Sequence, residues 1–193
     1  MVFYKNTGNV FMDEPRTEMD PELACLVHAF GNQFHKSVRA YHEAGHAVVA
    51  CFSENVELVD VSIDADEKGV GRTNVKLYQL EPGIASSPLT PSQRRDIEDS
   101  IKSLLGGQVA ERHFQGPEYT IQCDMGWGDD NQRIAEYLKC IGVEQLPKLK
   151  AKTERDIEAN WGFVEAVARA LFEKTRLSGA EVEGIYKELT RSA

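Results

Sequence analysis

The chain has 193 residues, of which 41% are hydrophobic and 27% charged, and its formal net charge is −9. That length can bury a core without disulfide staples, and the balance describes one soluble globular unit. A negative chain repels phosphate backbones, which excludes nucleic-acid binding as the main activity.

Cys25, Cys51, Cys123 and Cys140 form no Cys-x-x-Cys pair, which argues against a zinc ribbon or a secreted disulfide framework. Reduced thiols and a cytoplasmic location are expected. The N-terminus lacks the basic start and apolar stretch of a signal peptide, and the longest apolar run, Ala47 to Phe52, is too short to span a bilayer.

Residues 1–37 show no sustained period and read as an N-terminal arm with a short helix near Pro21 to Phe30. A helical pattern starts at Val38 and ends near Phe52 to Asn55. In "VELVDVSI", Val59, Val61 and Ile63 alternate with Asp60 and Ser62, the period of a half-buried strand. After the turn "DADEKG", the stretch "GVGRTNVKLYQL" predicts a second strand, and the two are expected to pair as a hairpin.

A loop from Pro82 to Pro88 leads to "TPSQ", where Thr90, Pro91 and Gln93 form a capping-box pattern ahead of Ile97, Ile101, Leu104 and Leu105. The segment from Gln115 to Gly128 reads as irregular, and "DDNQRIAEYLKC" as helical. Trp161, Val164, Ala168 and Leu171 share one stripe, and "SGAE" forms a second capping box before a last helix carrying Val182, Ile185, Tyr186 and Leu189. The expected fold is mainly α (α+β): a helical domain over 38–193 with a small β-hairpin or sheet beside the central helix.

That helix carries "AYHEAGHAVVA". Residues one turn apart share a helix face, so His42 and His46 can converge on a single ion. A catalytic zinc site uses three protein ligands and a water, and Glu43 stands where it could take that water's proton. The apolar flanks Val38, Tyr41, Ala47, Val48 and Val49 favour this reading, because burying His-Glu-His without a partner is costly. Gly45 inside a helix points to the close approach of another backbone or of a substrate, with simple helix packing as the plainer account.

A third ligand is needed, and His28, His35, Glu111 and the pair Asp129/Asp130 are the candidates. His28, His35 and His42 are spaced by sevens, but Gly31 is expected to interrupt a continuous helix, which leaves surface or capping roles for the first two. His113, beside Phe114, reads as a satisfied half-buried histidine. Asp129 with Gln132 reads as a helix cap, which frees Asp130 in the first turn to face inward and favours it over Glu111.

In order and spacing, "AYHEAGHAVVA", "SLLGGQVAERHF" and "GDDNQRIAEYLK" resemble the peptidase domain of the FtsH family of ATP-dependent zinc metalloproteases. The likeness extends through the hairpin and into "FVEAVARALFEKTRLSGAEVEGIYKEL", from about Val38 to Leu189. The resemblance implies Zn2+ held by His42, His46 and Asp130, with Glu43 as general base and Glu111 in a supporting role. It also implies that an extended substrate docks by β-addition on a strand near Val70 to Leu77.

Family members usually carry membrane segments and an ATPase module, whereas this sequence has no Gly-x-x-x-x-Gly-Lys-Ser/Thr phosphate loop. The expectation is therefore a free-standing zinc metalloendopeptidase acting on flexible or unfolded polypeptides, as a homo-oligomer or with a separate ATPase partner. The alternatives are a catalytically silent zinc-containing module that binds peptides or joins an ATPase partner, and a latent protease whose residues 1–37 cover the cleft, with Cys25, His28 and His35 as additional zinc ligands.

Overall fold

A computed structural model describes residues 21–64, 71–77, 88–116 and 127–191, without the side chains of 21–29, 76 and 77. Most of the N-terminal arm, the "DADEKG" turn after Asp64 and nearly all of the 82–88 and "QCDMGWG" loops lie outside the described residues, as do the side chains of Cys25 and His28. The described part is mainly helical with a small sheet, as the sequence predicts. In chain order it comprises α1 (Pro21–Cys51), β1 (Val56–Ser62), β2 (Arg72–Leu77), α2 (Pro91–Gln115) and α3 (Trp127–Ile141). After a single 3-10 turn (Val143–Gln145) come α4 (Leu146–Ala159), α5 (Trp161–Lys174), β3 (Arg176–Ser178) and α6 (Gly179–Arg191).

Helix α1 is the axis of the molecule, and every residue from His42 to Ala50 is buried. A helix covered on all sides must be apolar on all sides, which Ala44, Ala47, Val48, Val49 and Ala50 supply. The helix runs unbroken through Gly31 and past position 37, against the expectation of an interruption. One helical glycine costs about 1 kcal/mol, which the packing of the rest of α1 outweighs. Tyr41 holds neighbouring helices to it, stacked on Phe114 of α2 at 4.0 Å and on Trp161 of α5 at 5.5 Å between centroids.

The predicted hairpin forms, with β1 antiparallel to β2. Its alternation has a fault: the register shifts between Leu58 and Asp60, and Val59 is 47% exposed while Val61 and Ile63 are buried. Leu58 pairs with Val75 and Asp60 with Asn74, so Val59 is the extra residue of a bulge, left without a partner on β2. The sheet also has a third strand that the sequence reading lacks, because three residues are too few to show an alternation. Among the described residues it gives the order β2-β1-β3, with β2 at an edge.

Both predicted capping boxes are present. Thr90 and Gln93 bond reciprocally at the start of α2, and Ser178 and Glu181 do the same at the start of α6. Helix α4 is absent from the sequence reading, since its lysines and glutamates leave only Leu149, Thr153 and Ile157 buried. On α6 Val182 is buried, while Tyr186 and Leu189 are 38% and 40% exposed, Tyr186 with its ring against Phe163.

Two apolar clusters result. One joins α1, β1, α5, β3 and α6 around Val48, Val61, Val164 and Leu171. The other joins α2, α3 and α4 around Ile97, Ile101, Ile134 and Leu149. Helices α1 and α2 meet between them at a pair of glycines. A β-carbon on Gly45 would collide with the Gly106 carbonyl and lie 2.6 Å from Ala110 Cβ, and one on Gly106 would lie 2.6 Å from the Gly45 carbonyl oxygen. Gly45 thus serves close backbone approach.

Gly106→Ala is expected to destabilise the protein by about 1–3 kcal/mol through overpacking. Gly31→Ala, where an added β-carbon meets nothing within 4 Å, is expected to stabilise it by about 0.4–1 kcal/mol. Urea denaturation of the two variants checks both signs.

Candidate metal centre

His42, Glu43 and His46 face one cleft from α1, which α2, α3 and β2 complete. The Nε2 atoms of His42 and His46 are 3.0 Å apart, and Asp130 Oδ2 lies 3.4 Å from the first and 3.2 Å from the second. These three ligand atoms all lie within 4.8 Å of one another. Among the sequence candidates, Asp130 is therefore the one brought to the two histidines. Helix α3 begins at Trp127, so Asp129 sits inside the first turn rather than at its cap. Both aspartates then lie where the helix dipole favours a negative charge.

The far side of each ring is fixed by α2. His42 Nδ1 is 2.9 Å from Glu111 Oε2, and His46 Nδ1 is 2.7 Å from the Ser103 carbonyl oxygen. Both partners are acceptors, so each Nδ1 carries the hydrogen, and this assignment directs the Nε2 positions into the cleft. Glu111, 1% exposed, also accepts from Trp127 Nε1 at 2.8 Å and Gln115 Nε2 at 3.2 Å. It orients a ring and ties α3 to α2. Gly107 leaves room for the His46 ring, since a β-carbon there would strike its Nε2 and Cε1.

Glu43 is buried beside the pair, and its Oε2 accepts a hydrogen bond from Thr73 Oγ1 of β2 at 2.6 Å. His35 and His113 stand apart from the cleft. His35 is exposed on α1 beside Phe34, and His113 is also exposed, its ring 4.1 Å from Trp161, instead of half-buried as expected. Sequence reasoning missed Thr73, Ser103, Gly71 and Trp127. Only the doublet Gly106-Gly107, unusual within a helix, signalled that α2 passes close to the site.

The arrangement calls for a positive charge. Asp130 Oδ2 is buried and makes no hydrogen bond, yet it faces two ring nitrogens that turn their other sides to acceptors. A divalent ion among two imidazoles and a carboxylate satisfies all three atoms, and a donor set of this composition suits zinc. Without a metal ion the same arrangement favours protonation of the histidines. Burial lowers the His42 pKa, but the carboxylates of Asp130 and Glu111 outweigh it and push the group up to about 10. Burial is likewise outweighed at His46, raised chiefly by Asp130, and at Asp130, held well below the usual carboxylate range by His46 and His42.

No family model matches the chain. It is similar to the ATP-dependent zinc metalloprotease FtsH of Lachnoclostridium phytofermentans, 27% identical over 170 residues, covering 84% of this chain and 28% of that protein. The ATP-dependent zinc metalloprotease FtsH 1 of Symbiobacterium thermophilum is 29% identical over 183 residues, covering 78% of this chain and 29% of that protein. The mitochondrial inner membrane m-AAA protease component AFG3L1 of Mus musculus is 29% identical over 156 residues, or 80% of this chain and 16% of that protein. These similarities support a relationship to the FtsH family. The chain spans less than a third of the length of these relatives. No helix among the described residues is long and apolar enough to cross a membrane.

A histidine in an unfolded chain ionises near about 6.5. The stabilisation from protonated His42 in metal-free protein is therefore complete below that pH and is lost as pH rises through about 10. Urea midpoints of the metal-free protein are expected to fall across this window more steeply than those of His42→Gln. Parallel pH profiles for the two would contradict the assignment.

Proposed function

We propose that the chain is a zinc-dependent metalloendopeptidase that hydrolyses peptide bonds in flexible or unfolded polypeptides. The observation that carries this reading is the convergence of His42 Nε2, His46 Nε2 and Asp130 Oδ2 next to the buried carboxylate of Glu43. The relationship to proteins named zinc metalloproteases supports it. In this reading residues 38–193 form the peptidase and 1–37 an arm, joined by the continuous α1.

His42, His46 and Asp130 would hold the zinc, with Glu111 and the Ser103 carbonyl keeping the two rings aimed. Bound there, zinc supplies a Lewis acid that polarises a carbonyl and lowers the pKa of water. Glu43 takes a proton from the attacking water as the water oxygen bonds to the scissile carbonyl carbon. It then delivers that proton to the amine nitrogen as the C–N bond breaks.

Strand β2 lies at the sheet edge and lines the same cleft through Arg72, Thr73 and Val75. An extended polypeptide adding to that edge would bring its backbone to Glu43, and main-chain pairing demands little of sequence. These 193 residues carry no phosphate-loop motif, so ATP-driven unfolding would fall to another module or a separate ATPase partner. A cytoplasmic location and assembly as a homo-oligomer belong to the same proposal.

The test is cleavage of casein by purified protein supplied with zinc, with bound zinc counted in parallel. Wild type is expected to cleave and Glu43→Gln to lose about 100-fold or more in kcat at equal zinc content. Stoichiometric zinc without cleavage would favour the silent or latent module, and absence of zinc from both would overturn the metal site. Glu111→Gln is expected to weaken zinc binding about 10- to 100-fold in chelator competition, because it loosens the hold on His42.

A further inference from the structure

The contact between Glu43 and β2 joins two elements that the mechanism above treats separately. Thr73 Oγ1 is 2.6 Å from Glu43 Oε2, the short distance of a hydroxyl donating to a carboxylate. The same oxygen is 3.4 Å from the Glu43 carbonyl oxygen, so its single proton goes to the nearer carboxylate. Two residues earlier, a β-carbon on Gly71 would lie 2.6 Å from Glu43 Oε1, 2.8 Å from its Cγ and 2.9 Å from the Ser62 carbonyl oxygen. The carboxylate is thus seated against the strand, with Gly71 making the space and Thr73 holding one oxygen.

Pairing of Thr73 with Val61 and of Arg72 with Ser62 anchors this seat to β1. Just past β1, Ile63 N–H donates to the Thr175 carbonyl oxygen at 2.8 Å, and Arg39 Nη1 of α1 donates to the Ile63 carbonyl oxygen at 3.0 Å. The strand therefore cannot shift along the sheet without moving the hydroxyl that holds the base.

We propose that Thr73 is a positioning residue through which strand β2 sets the orientation of Glu43. This rests on the peptidase reading. Its signature is a loss of turnover without a loss of binding, because the hydroxyl touches the base and not the substrate.

The experiment compares wild type, Thr73→Val, Thr73→Ser and Glu43→Gln on a quenched peptide, with zinc counted in each. Thr73→Val is expected to lower kcat about 10- to 100-fold, the effect of removing a hydrogen bond to a charged group. KM should stay within about twofold and Thr73→Ser should recover most of the turnover, since uniform binding is untouched and the hydroxyl is restored. An unchanged kcat in Thr73→Val, or a rise in KM alone, would overturn the proposal.

A readout independent of activity uses the metal-free protein. Thr73→Val is expected to lower the urea midpoint more in the wild-type background than in a Glu43→Ala background, where only the backbone carbonyl at position 43 remains as acceptor; equal effects in both would refute the contact. Should Thr73→Val not fold, Thr73→Ala and Thr73→Ser carry the same comparison. If wild type itself fails to cleave, or Glu43→Gln cleaves as well as wild type, the peptidase reading has failed, and the metal-free cycle still decides whether Thr73 holds Glu43.

Discussion

Three electron-pair donors aimed at one point repel one another unless a positive charge lies among them. His42, His46 and Asp130 are in that situation, and much of the surrounding structure holds them there. Glu111 and the Ser103 carbonyl occupy the outer nitrogen of each ring, which turns the lone pairs of the inner nitrogens toward Asp130 and each other. Burial removes the water that would otherwise solvate them. A proton or a metal ion can meet the demand, and the two compete for the same place, which links occupancy of the centre to pH.

The backbones of α1 and α2 must come unusually close for this to work. A helix that supplies two ring-orienting acceptors can do so only if its axis passes near the rings, and bulky residues at the crossing would hold it away. Gly45 and Gly106 let the two helices touch, and Gly107 accommodates the His46 ring. Three glycines in helix interiors are unfavourable for the helices taken alone, by about 1 kcal/mol each. Both apolar clusters meet this crossing, one on each side, and their packing offsets that cost. Overall stability and ligand geometry therefore draw on the same few contacts.

What the sequence discloses depends on whether a feature is local. The two histidines one turn apart, Glu43, the capping boxes at Thr90 and Ser178, and the hairpin all follow from residues near one another in the chain. Asp130 is favoured because an acidic first turn is a local pattern too. The roles of Thr73, Ser103 and Trp127 stay hidden, since each depends on a contact across elements that no spacing announces. Glu111 stands out in the sequence as a carboxylate able to ligate, but its place behind His42 is visible only in the fold. The outward turn of Val59 and the continuity of α1 through Gly31 escape for a related reason: tertiary packing overrides a local preference.

The sheet beside the centre is closed by residues made late. Strand β1 is flanked on one side by β2, nearby in sequence, and on the other by β3, where Arg176 pairs with Asp60 at 3.0 Å across a separation of 116 positions. Thr175, which begins that return, adopts a left-handed conformation with φ of 64°, unusual for a β-branched residue and held by its amide's bond to the Leu171 carbonyl. Ribosomes add about 5–20 residues per second, so β1 waits on the order of ten seconds for its second neighbour. During that time α1 already carries the histidines and the glutamate, but the sheet against which Glu43 is seated remains unfinished. On the peptidase reading, the cleft would stay incomplete while the protein's own chain is the extended polypeptide closest to hand.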